Sequence, residues 1–217
     1  MIGWNNIHTV YSSSYIINNV PNSPIQRISN DSSSTLLLIV YGPSDDVHQQ
    51  QMAYAIEKGA NMKNVKVCSV DECSFQDVVT SDALVVGSAV YNANVHPDVQ
   101  TWINTWDFHA NLQNKIASAF VTGGGISAGE EGVLISLLKS MMIFQMIVVG
   151  GSDWKSAFGA YAITNEGPFN THHLREKNSL GKMKDTIDPM FLANAHALGA
   201  RVAKMVVKFK KCNEPLK

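Results

Sequence analysis

Two short stretches combine residue types and spacing that could do chemistry. The first is Tyr41-Gly42-Pro43-Ser44-Asp45-Asp46-Val47-His48, which joins the apolar run Leu36 to Tyr41 to a helix-like pattern. A loop that opens a helix offers backbone N–H groups and the positive end of the helix dipole to an anion. The second is Thr122-Gly123-Gly124-Gly125, after the apolar run Ile116 to Val121. Glycines in such a turn let backbone come close to a ligand. The first stretch is oddly made for an anion. Only Ser44 brings a hydroxyl from within the loop, and Pro43 has no N–H. Asp45 and Asp46 stand where a dianion would sit. Two like charges about 4 Å apart repel by about 4 kcal/mol at an effective dielectric of about 20. Asp46 and Gln49 also have capping-box spacing, with Asp46 at N-cap and Gln49 at N3. On that reading the carboxylate takes the amides an anion needs.

Several chemistries are excluded by missing patterns. There is no GxxxxGK[ST], no GxGxxG after the first apolar run, no GxSxG and no HExxH. The seven histidines do not cluster with acids or thiols at metal spacing. His172-His173 lies in a polar stretch and reads as solvated surface. The three cysteines, Cys68, Cys73 and Cys212, are odd in number and sparse. Cys68 and Cys73 fit no common zinc signature and read as structural. Unpaired cysteines point to a reducing compartment, so a cytoplasmic location is expected.

The elements that position these stretches follow from apolar runs and helical stripes. Leu36 to Tyr41, Val65 to Val70, Ala83 to Gly87, Ile116 to Val121 and Met146 to Val149 read as strands. The helix after the first strand places Val47, Met52 (or Gln51), Ala55 and Ile56 on one face. Phe75 to Val79 reads as a short helix. His96-Pro97 opens another, with Val99, Trp102, Ile103 and Trp106 on one face. Glu130 to Met142 repeats Val133, Leu134, Leu137, Leu138 and Met141 at helical spacing. Pro189 starts a last helix with an apolar stripe of Phe191, Leu192, Ala195, Leu198, Val202 and Met205. Ser88 to Asn94 and Gly150 to Asp188 read as long loops. Five strands alternating with helices predict an α/β fold: a doubly wound five-stranded parallel sheet with helices on both faces. Ligands then sit at the carboxyl ends of the strands, where winding reverses. That places Gly42 to Asp46 beside Ser88 to Asn94, with the glycine turn next to them.

Residues 1–34 differ in composition, being rich in Ser and Asn with almost no charge. They read as a flexible N-terminal extension, or as an arm that grips a neighbouring subunit through Trp4, Tyr11, Tyr15 and Ile16. They make a poor signal or transit peptide. The domain is expected over 35–211, with a short tail over 212–217. The 217 residues are 45% apolar and 16% charged with net charge -1. That balance does not favour nucleic acid, and no apolar run approaches the length of a transmembrane segment.

Three segments in this order resemble the flavodoxin-like NAD(P)H:quinone oxidoreductases of the tryptophan-repressor-binding-protein type. They are SDALVVGSAVYNANVHPDVQTWIN (Ser81 to Asn104), ASAFVTGGGISAGEE (Ala117 to Glu131), and MIVVGG with FGAYAIT (Met146 to Gly151, Phe158 to Thr164). The last helix is similar too. The resemblance implies a flavodoxin-like fold, FMN as cofactor, NAD(P)H as electron donor, and a quinone or related small molecule as acceptor. It also implies a homodimer or homotetramer. By resemblance, Ser88, Ala89, Val90, Tyr91, Asn92, Asn94 and Val95 would face the isoalloxazine ring, with Tyr91 flanking it. Thr122, Gly123, Gly124 and Gly125 would line the other side. Ser44, Asp46, Val47 and His48 would stand at the phosphate. The sequence departs from the family there: its hydroxyl-rich phosphate loop is replaced by Pro43, Asp45 and Asp46. Its histidine pair aligns with Ile143-Phe144, and its third-strand-loop Pro and Gly with Ala89 and Ala93. Three functions follow. The first is an FMN-dependent oxidoreductase working by two-electron hydride transfer. The second is a protein with a decayed FMN site that acts as a structural or interaction module. The third is a small electron carrier, disfavoured because a net charge of -1 gives no strong field for a basic partner.

Overall fold

The computed structural model describes residues 35–167, 169 and 187–212. The readings for residues 1–34, for 213–217 and for His172-His173 lie outside the described residues. Strand β1 (Leu36–Gly42) is the centre of the fold. Leu37, Leu38, Ile39 and Val40 are all fully buried, because both faces of the strand are covered. Leu37, Ile39 and Tyr41 pack into one apolar cluster under α1 (Val47–Ala60) and the last helix, α5 (Pro189–Cys212). Leu38 and Val40 pack into a second cluster on the opposite face. That cluster lies under α2 (Phe75–Thr80), α3 (Pro97–Asn104) and α4 (Glu130–Ile143). Two cores on two faces are what double winding produces.

The remaining strands are β2 (Asn64–Ser69), β3 (Ala83–Tyr91), β4 (Asn94–Val95), β5 (Ile116–Gly123), β6 (Ile147–Val148) and β7 (Ala160–Ile163). The sheet order is β2-β1-β3-β5-β6, all parallel along this path. The expected α/β fold with a doubly wound parallel sheet is therefore present, with three corrections.

First, the fifth lane is not one strand. β6 pairs with Ile116 and Ala117, and β7 pairs with Phe120 to Gly123 further along the same edge. Gly150 and Gly151 cause the break. A Cβ at these positions would meet Ala157 O at 2.0 Å and Ser156 O at 1.8 Å. The chain leaves the sheet there and makes a 3-10 turn over Trp154–Ser156, capped by the Asp153 carboxylate. It returns as β7, so part of the stretch read as a long loop is strand.

Second, Ser88 to Asn94 is a β-hairpin rather than a loop. β3 runs on to Tyr91, turns through Asn92 and Ala93 at φ 48° and 60°, and pairs antiparallel with β4. Positive φ at both turn residues marks the primed hairpin turn. Alanine at the second position, where glycine is usual, hides it in the sequence.

Third, Val47 does not belong to the inward face of α1. It is exposed, and the buried residues there are Gln49, Met52, Ala53, Ile56, Gly59 and Ala60. Among the described residues no helix is long and apolar enough to cross a membrane.

Candidate functional site

The sheet register brings the three expected stretches together. Gly42 pairs with Ser88, and Ala89 with Thr122. The loop after β1, the β3–β4 hairpin and the glycine turn therefore form one rim at the carboxyl edge, where the winding reverses.

At the first stretch, Asp46 is the N-cap of α1. Its Oδ1 accepts hydrogen bonds from the backbone N–H groups of His48 (2.8 Å) and Gln49 (3.1 Å). The His48 ring lies beside the same carboxylate, with Nδ1 3.7 Å from Oδ1. Only half of the expected capping box forms. The Gln49 side chain turns inward instead, and its Nε2 donates to Thr122 Oγ1 at 2.9 Å in the core. Ser44 Oγ donates to Asp71 Oδ2. The hydroxyl and two of the amides that could meet an anion are thus already held by carboxylates.

The hairpin is held from inside by Ser88. Its Oγ donates to Ala89 O (2.8 Å) and accepts from His96 N (2.9 Å). Val90 and Val95 face each other across the hairpin and pack on the second core. These residues shape the site from behind. Tyr91, Asn92 and Asn94 are exposed. Tyr91 stands edge-on to His96, with ring centroids 5.3 Å apart.

In the glycine turn, Thr122 is buried beneath the surface and holds Gln49. A Cβ on Gly123 would lie 2.1 Å from Glu130 Oε1. Close approach at this glycine is therefore made by a side chain of the protein itself. Gly124 is open, with nothing nearer to its Cβ position than Asn165 Nδ2 at 3.9 Å. Glu166 Oε2 accepts from Ile126 N, and Glu130 Oε2 accepts from Ala128 N (3.0 Å). Gly129, at φ 116°, lets the hairpin tip rest on the turn; a Cβ there would lie 2.7 Å from Ala93 Cα. Hairpin and turn are one connected surface.

Two features of the site were not read from the sequence. The described rim loops 42–46, 70–74, 88–96, 123–129 and 164–167 contain no Lys or Arg. They carry Asp45, Asp46, Asp71, Glu72 and Glu166 instead, with Glu130 and Glu131 just beyond. The second feature is a cavity of about 630 Å³ behind the glycine turn. Phe158, Tyr161, Phe169 and Phe191 supply aromatic walls, and Glu130 and Lys155 supply charge. Its lining comes from the turn, the start of α4, the stretch before β7, β7 itself and the start of α5, so no sequence window could show it. Among the described residues no cluster of His, Cys, Asp or Glu could hold a metal.

Residues 72–160 match the family model of NADPH-dependent FMN reductases. A flavodoxin from Clostridium saccharobutylicum is 25% identical over 160 residues, covering 72% of this chain and 89% of the relative. Among solved structures, an archaeal flavodoxin superposes with a TM-score of 0.57 at 18% identity, covering 79% of this chain and 99% of its own. A flavodoxin, WrbA-like protein from Agrobacterium tumefaciens gives 0.60 at 13% identity, covering 81% and 99%. The fold is flavodoxin-like. Within that class the segment from the β2–α2 loop to the start of β7 is similar to the FMN reductases, and it takes in both the hairpin and the glycine turn. The matched segment begins after Gly42 to Asp46.

Against FMN the site divides into two ends. The hairpin tip, Tyr91 and Gly124 leave an exposed surface of the kind a flat ring covers. The phosphate end does not fit. A phosphate monoester carries close to two negative charges at neutral pH. It would have to displace Asp46 from two of its amides and sit among further carboxylates, with no Lys or Arg in the described rim loops.

Proposed function

We propose that this chain is a flavin-dependent oxidoreductase that takes a hydride from NAD(P)H and passes two electrons to a quinone or a related flat acceptor. The observation that carries this reading is the hairpin joined to the glycine turn at the winding reversal, inside the segment that matches the FMN reductases. A bound flavin ring supplies the two-electron chemistry. The chain's own residues give it a platform: Tyr91 and the backbone at Gly124 offer the ring a face, and Ser88 and Gln49 fix the loops beneath it. The aromatic walls of the adjoining cavity suit a flat apolar acceptor. The family resemblance favours a homodimer or homotetramer, and the unpaired cysteines favour the reducing cytoplasm.

The second reading is a non-catalytic interaction module, and the capping of α1 by Asp46 is the observation that favours it. The test follows NADH and NADPH oxidation with a water-soluble quinone, with FMN or riboflavin added, against flavin alone. Protein-dependent quinone reduction is expected. Rates no greater than free flavin gives, with every flavin tried, would leave the second reading.

A further inference from the structure

We infer that the flavin this site takes is one without a phosphate group: a neutral isoalloxazine carrying a polyol chain. This rests on the flavin reading above and narrows its ligand. Two observations converge on it.

Asp46 already accepts from the two amides, His48 N and Gln49 N, that the start of α1 would offer to a phosphate. Asp71 holds the Ser44 hydroxyl, and Pro43 has no N–H to give. The loop hydroxyl and two of the amides at the start of α1 are therefore already bonded, and a phosphate would have to compete there with a carboxylate fixed two bonds from the backbone.

The described rim loops hold no Lys or Arg, so nothing in them offsets the phosphate's charge. Their carboxylates are acceptors. Asp45 is exposed, and Asp46 is half-buried with one oxygen committed to the helix. Carboxylates accept hydrogen bonds from hydroxyl groups and repel phosphate oxygens. A chain of neutral hydroxyls matches this end of the site, and a dianion does not.

The test is a flavin-fluorescence titration of the full chain with riboflavin and with FMN, on the wild type and on Asp46→Ser and Asp46→Asn. Serine and asparagine are both good N-caps, so α1 keeps its start. Circular dichroism melts check that each variant is folded. The wild type should bind riboflavin roughly tenfold tighter than FMN, or better, and Asp46→Ser should shift the ratio toward FMN by roughly tenfold. Wild-type binding that favours FMN, or a ratio unmoved by both substitutions, overturns the inference while the flavin reading stands. Failure of every variant to bind either flavin removes the flavin reading and this inference with it.

Discussion

Gly123 has only hydrogen where any other residue would place a carbon 2.1 Å from Glu130 Oε1. That oxygen is buried and has no hydrogen-bond partner, while Oε2 holds Ala128 N. The glycine and the acid therefore form a matched pair. Gly123→Ala should push the carboxylate out of its place and cost about 2 kcal/mol. Glu130→Ala in the same chain should recover most of that loss, since the clash goes with the side chain. Urea unfolding of the two single variants and the double variant measures the coupling. Strictly additive losses would show that the pair is not what makes residue 123 a glycine. The cysteines sort by burial in the same residue-level way. Cys68 and Cys73 are buried neighbours. Their mutual interaction lowers the Cys68 thiol pKa and raises that of Cys73, and burial adds to the rise at Cys73. Cys212 is exposed. An aromatic disulfide reagent should react quickly with one thiol in the native protein, and with all three cysteines of the sequence after denaturation. Two or more fast thiols in the native state would show that the β2–α2 loop opens readily.

Helices α1 and α5 meet backbone to backbone, and two glycines make that possible. A Cβ on Gly59 would meet His196 O at 1.8 Å, and one on Gly199 would meet Ile56 O at 1.9 Å. Neither obstacle is a flexible side chain, so the helices would have to separate. Gly59→Ala and Gly199→Ala should each cost about 3 kcal/mol, although alanine is the better helix former by up to about 1 kcal/mol. Thermal or urea melts decide it, and a neutral or stabilising result would mean that the crossing has slack. Elements like these were legible in the sequence to the degree that their burial was one-dimensional. β1, β3 and β5 are covered on both faces and read as continuous apolar runs. The helices read from their stripes. The hairpin did not, because Ala93 stands in a turn position that normally signals itself with glycine. β7 did not either, because its lane is shared with β6 across a glycine-driven detour. In the site, the Asp46 cap was visible from spacing alone. The inward turn of Gln49 to Thr122 was not, because it depends on a partner far along the chain.

A net charge of -1 conceals a separation of charge among the described residues. The carboxyl rim carries Asp45, Asp46, Asp71, Glu72 and Glu166, with no Lys or Arg in its described loops. Lys58, Lys63, Lys115, Lys208, Lys210 and Lys211 lie toward the opposite end, where α1 and α5 finish and β2 and β5 begin. Helix amino termini point at the rim, and first-turn or capping acids answer their dipoles: Asp46 on α1, Asp98 on α3, Glu130 and Glu131 on α4. The field of these described rim groups therefore opposes an anion beyond the reach of any single contact. Salt separates this long-range effect from local hydrogen bonding. The Debye length falls from about 30 Å at 0.01 M salt to about 8 Å at 0.15 M. Over that range FMN affinity should rise as the repulsion is screened, while riboflavin affinity stays level. A site that holds phosphate with lysine or arginine behaves the other way, because salt weakens attraction between opposite charges. Titrating both flavins at several ionic strengths gives the sign directly. FMN binding that weakens with salt would mean that a cation outside these loops holds the phosphate, and the charge separation would then not govern which flavin the rim admits.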